Sequence, residues 1–392
     1  MALNVSLIDT HSQLSALKPE WDSLAGDNPF LSWDWAETWW RYYQTPQTRL
    51  FILAVRDEAD RLVGLAPWKL RQTLSRGRVV HFIGSNEVCG DRFTILAQAD
   101  RRANVLHALS QWLVGDARDL WDLLELTGVE QANANIAEFT KMFGEHGNQT
   151  HIRQDVNCWK IPLVGNWEQY LTTLSRSRRN RTRRLLKRTI DAGGAIQREV
   201  KSPADFDQGF NILVNLHQKR RNMLGEPGCF ASERYYAFHL EFARRMLDQG
   251  KLRLTWVEMN GVPAAVEYSF LSDKTIYNYQ SGFEPTLADA HPGWLNLVVT
   301  LRWAIGAGYE AFDMLRGDES YKSSFGAEPS PLAQVRIVGT HNSAKIRHAA
   351  WRTQATVKSW AREGMKIASD YRRCGSKAVN ENTEVAESGK ES

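Results

Sequence analysis

Glu267 stands beside Ala264, Ala265 and Val266 in a β-rich run, where partial burial would raise its pKa and fit it to accept a proton. The same spacing suits a carboxylate on the polar face of a strand. Tyr277 and Tyr279 alternate on the next run and so share one face, either lining a cleft or filling a core. Asp313 closes a further run just before Arg316-Gly-Asp-Glu319, and a carboxylate at the carboxyl end of a strand commonly reaches the crevice of an α/β sheet. Lys322 follows within ten residues, near enough to fold back beside Asp313 as a charge-stabilising pair or as an ion pair that pins the turn. His217, in Leu216-His-Gln-Lys-Arg-Arg221, is the histidine best placed to act as a base, with a helix-surface role as the alternative. Cys229 has no evident histidine partner, and the four cysteines never form Cys-x-x-Cys. Neither a nucleophilic thiol nor a thiolate metal site is indicated, and no metal is expected. What remains is chemistry that moves a proton and stabilises charge.

Anion recognition has a clearer signature. Arg176, Arg178, Arg179, Arg181, Arg183, Arg184, Lys187 and Arg188 form a basic run with no acid, so that the +4 chain is −4 outside it. Such a run is a solvated helix face or a contact for phosphate. Arg178, Arg179 and Arg183 are the candidate substrate contacts, and Arg221, paired in sequence with Arg220, would reach the same anionic group. No nucleic-acid motif accompanies the charge. Fifteen tryptophans include Trp33, Trp35, Trp39 and Trp40 in one stretch, read as helix-packing residues or, as a minority reading, a carbohydrate-stacking platform.

The elements that must position these groups repeat. Leu50–Val55 and Leu62–Pro67 read as a hairpin, followed by a strand at Arg92–Leu96, a helix marked by Leu106, Leu109, Leu113 and Val114, and a strand at Trp121–Gly128. The order returns in Leu252–Val257 and Val262–Tyr268 around an Asn260-Gly261 turn, then Thr275–Gln280, a helix marked by Leu297, Val298, Leu301 and Ile305, and Tyr309–Gly317. Helices are expected over Trp167–Asp191, Pro203–Asn222 and Ser232–Asp248. The expected organisation is two α/β lobes, 1–150 and 151–340, a basic helix over 341–373 and a disordered tail over 374–392. At 392 residues, 43% hydrophobic and 24% charged, the chain is globular, and it has no apolar run long enough to span a bilayer. The N-terminus lacks a basic region before its apolar residues, so a cytoplasmic location is expected, with the basic helix as a peripheral membrane or partner contact.

Three segments resemble one family: Asn28-Pro-Phe-Leu-Ser-Trp-Asp-Trp-Ala-Glu-Thr-Trp-Trp40, the basic Leu174–Arg184, and Tyr277–Gly326 with Ser281-Gly-Phe-Glu-Pro285, His291-Pro-Gly293, Phe312-Asp313 and Arg316-Gly-Asp-Glu-Ser-Tyr-Lys322. They are similar to the CelD-like cellulose-biosynthesis acetyltransferases of the Gcn5-related N-acetyltransferase superfamily, relatives of the Fem aminoacyltransferases. The resemblance covers about residues 20 to 335. It implies an α/β (α+β) fold of tandem acetyltransferase units with mixed sheets, and acyl transfer from acetyl-coenzyme A or another acyl-coenzyme A. The implied acceptor is a small-molecule or glycan-precursor substrate, a sugar or amino-sugar of exopolysaccharide or cellulose synthesis. The alternatives it leaves are aminoacyl transfer from tRNA, or a non-catalytic subunit of a membrane polysaccharide synthase. The superfamily's glycine-rich pyrophosphate loop is absent; Arg302-Trp-Ala-Ile-Gly-Ala-Gly308 is one residue too long and closes a helix. A coenzyme is instead expected at the helix opening with His291, Gly293 and Trp294, whose free N–H groups suit phosphate. In acyl transfer, Lys322 would stabilise the acyl oxygen with Asp313 orienting it, and Glu267 or His217 would accept the nucleophile's proton.

Overall fold

The computed structural model describes residues 3–350. The first half contains β1 (Asn4–Ile8), α1 (His11–Ala16), α2 (Lys18–Ala25), α3 (Trp33–Tyr43), β2 (Thr48–Leu50), β3 (Ile52–Arg56), β4 (Leu62–Ala66), β5 (Trp68–Thr73), β6 (Gly77–Phe82), β7 (Leu96–Ala97), α4 (Arg102–Val114), β8 (Leu123–Glu130) and α5 (Ala134–Glu145). Then come β9 (Thr150–Pro162), α6 (Trp167–Thr173), α7 (Arg176–Thr189), β10 (Ala195–Glu199), α8 (Pro203–Met223), α9 (Glu233–Asp248), β11 (Leu252–Met259), β12 (Val262–Leu271), β13 (Thr275–Phe283), α10 (Pro292–Gly306), β14 (Ala311–Arg316) and β15 (Glu328–Val338). The fold is mixed α/β, as the patterning predicts.

The hairpin of the first half is one long ribbon that changes sheets. Leu53↔Ala66 and Leu50↔Lys69 keep one register, but the ladder breaks at Phe51 and Pro67. A proline has no N–H to donate, so its strand bends out of the sheet there. One end joins a four-stranded sheet, β1-β3-β4-β7; the other joins an eleven-stranded sheet, β10-β11-β12-β13-β14-β9-β15-β8-β6-β5-β2. In each half a strand, a crossing helix and a parallel strand follow the hairpin: β6-α4-β8 and β13-α10-β14.

The third strand of the first half is therefore β6, not Arg92–Leu96. In that stretch only Leu96–Ala97 forms a strand, because Arg92 takes φ 59° and its guanidinium is spent on a buried ion pair. The helix expected over Trp167–Asp191 is two helices. Leu174 is extended (ψ 152°), and the Ser175 hydroxyl starts α7 afresh by accepting from the Arg178 N–H.

The halves exchange their last strands. β9, which follows the first half, pairs with β14 and β15, while β15 pairs with β9 and with β8 of the first half. The 150/151 boundary falls at the start of β9. One apolar core joins both halves: Trp35 meets Phe30, Phe238 and Phe242 edge-on at about 5 Å. Trp33, Trp35, Trp39 and Trp40 are all buried, which leaves no open platform for a sugar and corrects that reading. The chain turns helical over 342–350; the rest of the expected basic helix and the tail expected to be disordered lie outside the described residues. Among the described residues no helix is long and apolar enough to cross a membrane.

Candidate active site

β13 and β14 run parallel only over Thr275↔Ala311, Ile276↔Phe312 and Tyr277↔Asp313. Beyond that point they part, and the cause lies in the pairing of β13 with β12. Tyr268 faces Gln280 but Ser269 faces Asn278, so Tyr279 is an extra residue, a β-bulge that bends its strand. Tyr279 and Gln280 consequently both turn toward the Tyr235 hydroxyl, at 3.3 and 3.2 Å. Asn278 and Ser281 are left facing the gap. Gly282 lets α8 close over this strand, since a Cβ there would lie 2.4 Å from the His217 backbone nitrogen.

Across the gap, β14 ends in a strained turn. Leu315 takes φ 52°, a left-handed conformation uncommon in leucine, and persists only because neighbours hold it. Asp313 accepts from the Leu315 N–H at 2.9 Å. The buried Lys322 ammonium donates to the carbonyls of Met314 and Leu315 at 3.2 Å and of Arg316 and Gly317 at 3.0 Å, and pairs with Glu319 at 3.0 Å. The expected Asp313–Lys322 pair is not formed. Asp313 is instead salt-bridged to Arg92 of the first half at 2.5 Å, and Arg316 returns the exchange by pairing with the fully buried Asp91. Burial raises the Asp91 carboxyl above its usual range, with Arg316 opposing.

Two cavities open from this fork and share Arg220, Asn278, Ser281, Met314 and Tyr321. The first, about 240 Å³, lies between β12, β13 and the start of α10 and contains Glu267. Burial pushes this carboxyl up to about 7, with the Thr300 hydroxyl and the Arg253 guanidinium pulling it partly back. Its Oε2 has no hydrogen-bond partner, and neither do Trp294 Nε1 and Asn296 Nδ2 of the same cavity. A cavity with one buried acceptor and two buried donors unsatisfied is built for a polar ligand. The second, about 210 Å³, takes Cys89 and Asp91 from the first half and Arg221, Arg316, Glu319 and Lys322 from the second.

α10 opens on the first cavity without a side-chain cap, His291 holding the left-handed φ 54° that starts it. Gly293 and Trp294 line the cavity, and Arg178 and Arg181 stack over the Trp294 ring at 4.4 and 4.7 Å. Arg181 also reaches His291 Nε2 at 2.7 Å. The helix start and the basic run, far apart in sequence, thus form one surface. Of the run's eight cations only Arg183 has a carboxylate partner among the described residues, the exposed Glu168; Arg179 has none.

Other expected residues fall elsewhere. Tyr277 packs on Phe30 and does not line either cavity, while Tyr279 lines the second but donates its hydroxyl hydrogen to the Val88 carbonyl. Arg221 lines the second cavity and pairs with Glu226 at 2.8 Å. His217 is buried behind the fork with its pKa pushed down to about 4 by desolvation, which makes it a weak base. It does have a thiol neighbour, contrary to expectation: Cys229 Sγ lies 3.5 Å from Nε2, with the thiol pKa raised by burial and so not activated. Sequence reasoning missed Asp91 and Arg92, whose only signal is an acid–base dipeptide inside a β-rich segment, and Asn296, which sits on an apolar helix.

The corresponding fork of the first half is closed. β6 and β8 run parallel over Val79↔Leu123 and Val80↔Leu124, and then Phe93 fills the gap, stacking on Phe82 at 5.1 Å and donating its N–H to the Gly128 carbonyl at 2.9 Å.

Residues 176–323 match the family model described as an acetyltransferase (GNAT) domain. The matched segment, less than half of the chain, lies in the second half and is similar to GNAT-type acetyltransferase domains. The match is coarser than the CelD-like group, and no curated protein matches the chain. Among solved structures the chain is similar to FemX, at 11% identity and a TM-score of 0.59, covering 83% of this chain and 96% of that one. It is similar to a conserved protein of unknown function from Bacteroides thetaiotaomicron (12%, 0.56, 86% and 100%) and to L-PGS from Bacillus licheniformis (12%, 0.51, 88% and 96%). At such identities the likeness is one of fold. Among the described residues no cluster of three metal-ligating side chains occurs.

Proposed function

We propose that the chain transfers an acyl group from acyl-coenzyme A to an amine or hydroxyl acceptor at the second-half fork. One observation carries the reading: a buried carboxylate with a pKa of about 7 shares a cavity with the uncapped start of α10. The residues suit a phosphate-bearing, amide-rich cosubstrate. The first-turn N–H groups of α10 with Arg178 and Arg181 would hold its phosphates, and Trp294 Nε1 and Asn296 Nδ2 would meet its polar chain. Bound there, it supplies an activated thioester carbonyl. Glu267, half ionised near neutral pH, accepts the proton that the attacking amine or hydroxyl must lose. Asn278 and Ser281 lie where β13 leaves its neighbour, available to polarise a carbonyl at the fork. For the acceptor, a sugar or amino-sugar of exopolysaccharide or cellulose synthesis is supported by the resemblance of the three segments alone.

The unpaired cations of α7 favour a second donor, aminoacyl-tRNA, which the same surface would attract. Incubating the purified chain with acetyl-coenzyme A or aminoacyl-tRNA and an amine panel, with mass spectrometry of the products, separates the two. Acetylated product with release of coenzyme A is expected; transfer only from tRNA would replace this reading.

A further inference from the structure

The two cavities at the fork differ in how their charges are spent. In the second cavity Arg316 is neutralised by Asp91, Arg221 by Glu226, and Lys322 by Glu319 and four carbonyls. Arg220 has no such partner: among the described residues no carboxylate pairs with it. It is nonetheless held in place, donating to Ser281 Oγ at 3.3 Å and lying 5.4 Å over the Phe283 ring. Both partners belong to the part of β13 that has left β14. Arg220 therefore projects a fixed, uncompensated positive charge at the boundary between the two cavities.

We infer that the acceptor is an anion, carrying a carboxylate or phosphate close to its reacting amine or hydroxyl, and that Arg220 binds this group. The inference rests on the proposal that the donor enters along α10. Donor phosphates already have the α10 start and the α7 arginines, none of which lines the second cavity, where Arg220 stands with Arg221 and Glu319. An arginine fork matches the two oxygens of a carboxylate or phosphate, and recruiting an unpaired one breaks no protein ion pair. Its place at the boundary puts the acceptor's charge within a few bonds of the atom that attacks. A neutral amine of the same size would leave the guanidinium without an oxygen partner, the kind of mismatch on which polar sites discriminate.

The test uses the full chain and matched acceptors: glycine against glycinamide, and glucosamine 6-phosphate against glucosamine, with acetyl-coenzyme A. The anionic member of at least one pair should be preferred by roughly 10-fold or more in kcat/KM, the scale of one charge-assisted contact. Arg220→Gln should erase that preference, and Arg220→Lys should restore part of it. The phosphate and carboxylate pairs separate the two sources of charge. A second arm needs no turnover: inorganic phosphate, against chloride at equal ionic strength, should raise the melting temperature of the wild type more than that of Arg220→Gln. If no acetyl transfer occurs but this difference persists, the donor reading fails and the anion site stands. Equal loss of rate for both members of a pair in Arg220→Gln would assign the residue to the acyl oxygen and overturn the inference. So would the absence of any anionic preference, or identical phosphate shifts in the two proteins.

Discussion

At the scale of single residues, burial decides what each charged group does. Glu267 lies in the cavity with one oxygen unpartnered, and desolvation holds its carboxyl near 7. Activity should rise with pH through about 7 as the base ionises, and Glu267→Gln should lower kcat roughly 100-fold and remove that limb. The same shift has a stability consequence. The folded state keeps its proton to higher pH than the unfolded chain, so the stability it contributes is full below the ordinary 4.5 and is lost as pH rises through 7. Glu267→Gln should therefore gain stability on the wild type between pH 5 and 8 in thermal melts; a constant difference would mean the carboxyl is not perturbed. Lys322 is the opposite case, a charge satisfied by four carbonyls and a glutamate. Removing a buried charge from its partners costs about 3 kcal/mol or more, so Lys322→Met should lose stability in denaturant titrations. A lysine acting only on the acyl oxygen would show the reverse, unchanged stability with lost turnover. An unaltered midpoint would remove Lys322 from the role of holding the Leu315 turn.

At the scale of elements, the fork is a product of one bulge and one close approach. The extra residue Tyr279 peels β13 from β14, and α8 lies against β13 with only the hydrogen of Gly282 between them. Gly282→Ala would place a methyl 2.4 Å from the His217 nitrogen and 2.5 Å from the Leu216 carbonyl carbon. Both are backbone atoms that cannot rotate away, so α8 must shift, and with it Arg220 at its carboxyl end. The expected outcome is a folded protein with KM for the acceptor raised severalfold more than KM for acetyl-coenzyme A. Substitution at Gly293, where the nearest atom to a new Cβ is 3.9 Å away, should leave the fold undisturbed and act on the coenzyme instead. Comparing the two KM values in both variants checks whether the cavities serve different substrates.

At the scale of the molecule, the exchange of β9 and β15 makes the halves interdependent. A fragment ending near residue 163 would present β9 without β14 and β15, leaving a long strand edge unpaired. It would also leave Asp91 and Arg92 without Arg316 and Asp313. We expect such a fragment to be insoluble or unfolded, and the whole chain to lose far-UV ellipticity and tryptophan fluorescence in one coincident transition. A soluble fragment with its own cooperative melt would show that the halves are separable. The closed first fork has a related meaning. That half contributes a wall of the second cavity through Cys89 and Asp91, while its own parallel pair is filled by Phe93.

Much of this architecture is written locally. Apolar periodicity places α4, α8, α9 and α10, Asn260-Gly261 makes the β11–β12 turn, and the basic run marks an anion surface, because helix faces, turns and charge density depend on residues a few positions apart. The resemblance of the three segments likewise points to acyl transfer, while the apolar neighbours of Glu267 leave both burial and a polar strand face open. Partner choice was not legible. Arg92 and Asp313 are 221 residues apart, and Asp313 has a lysine nearer in the chain that the fold assigns to carbonyls. A charge has no sequence period, and a strand edge accepts any neighbour in register, so their partners are set by which distant segments the core brings together. The tertiary structure alone decides that β9 and β15 trade places, that one fork is filled and the other open, and that, of the cations lining the second cavity, Arg220 is left without a carboxylate among the described residues.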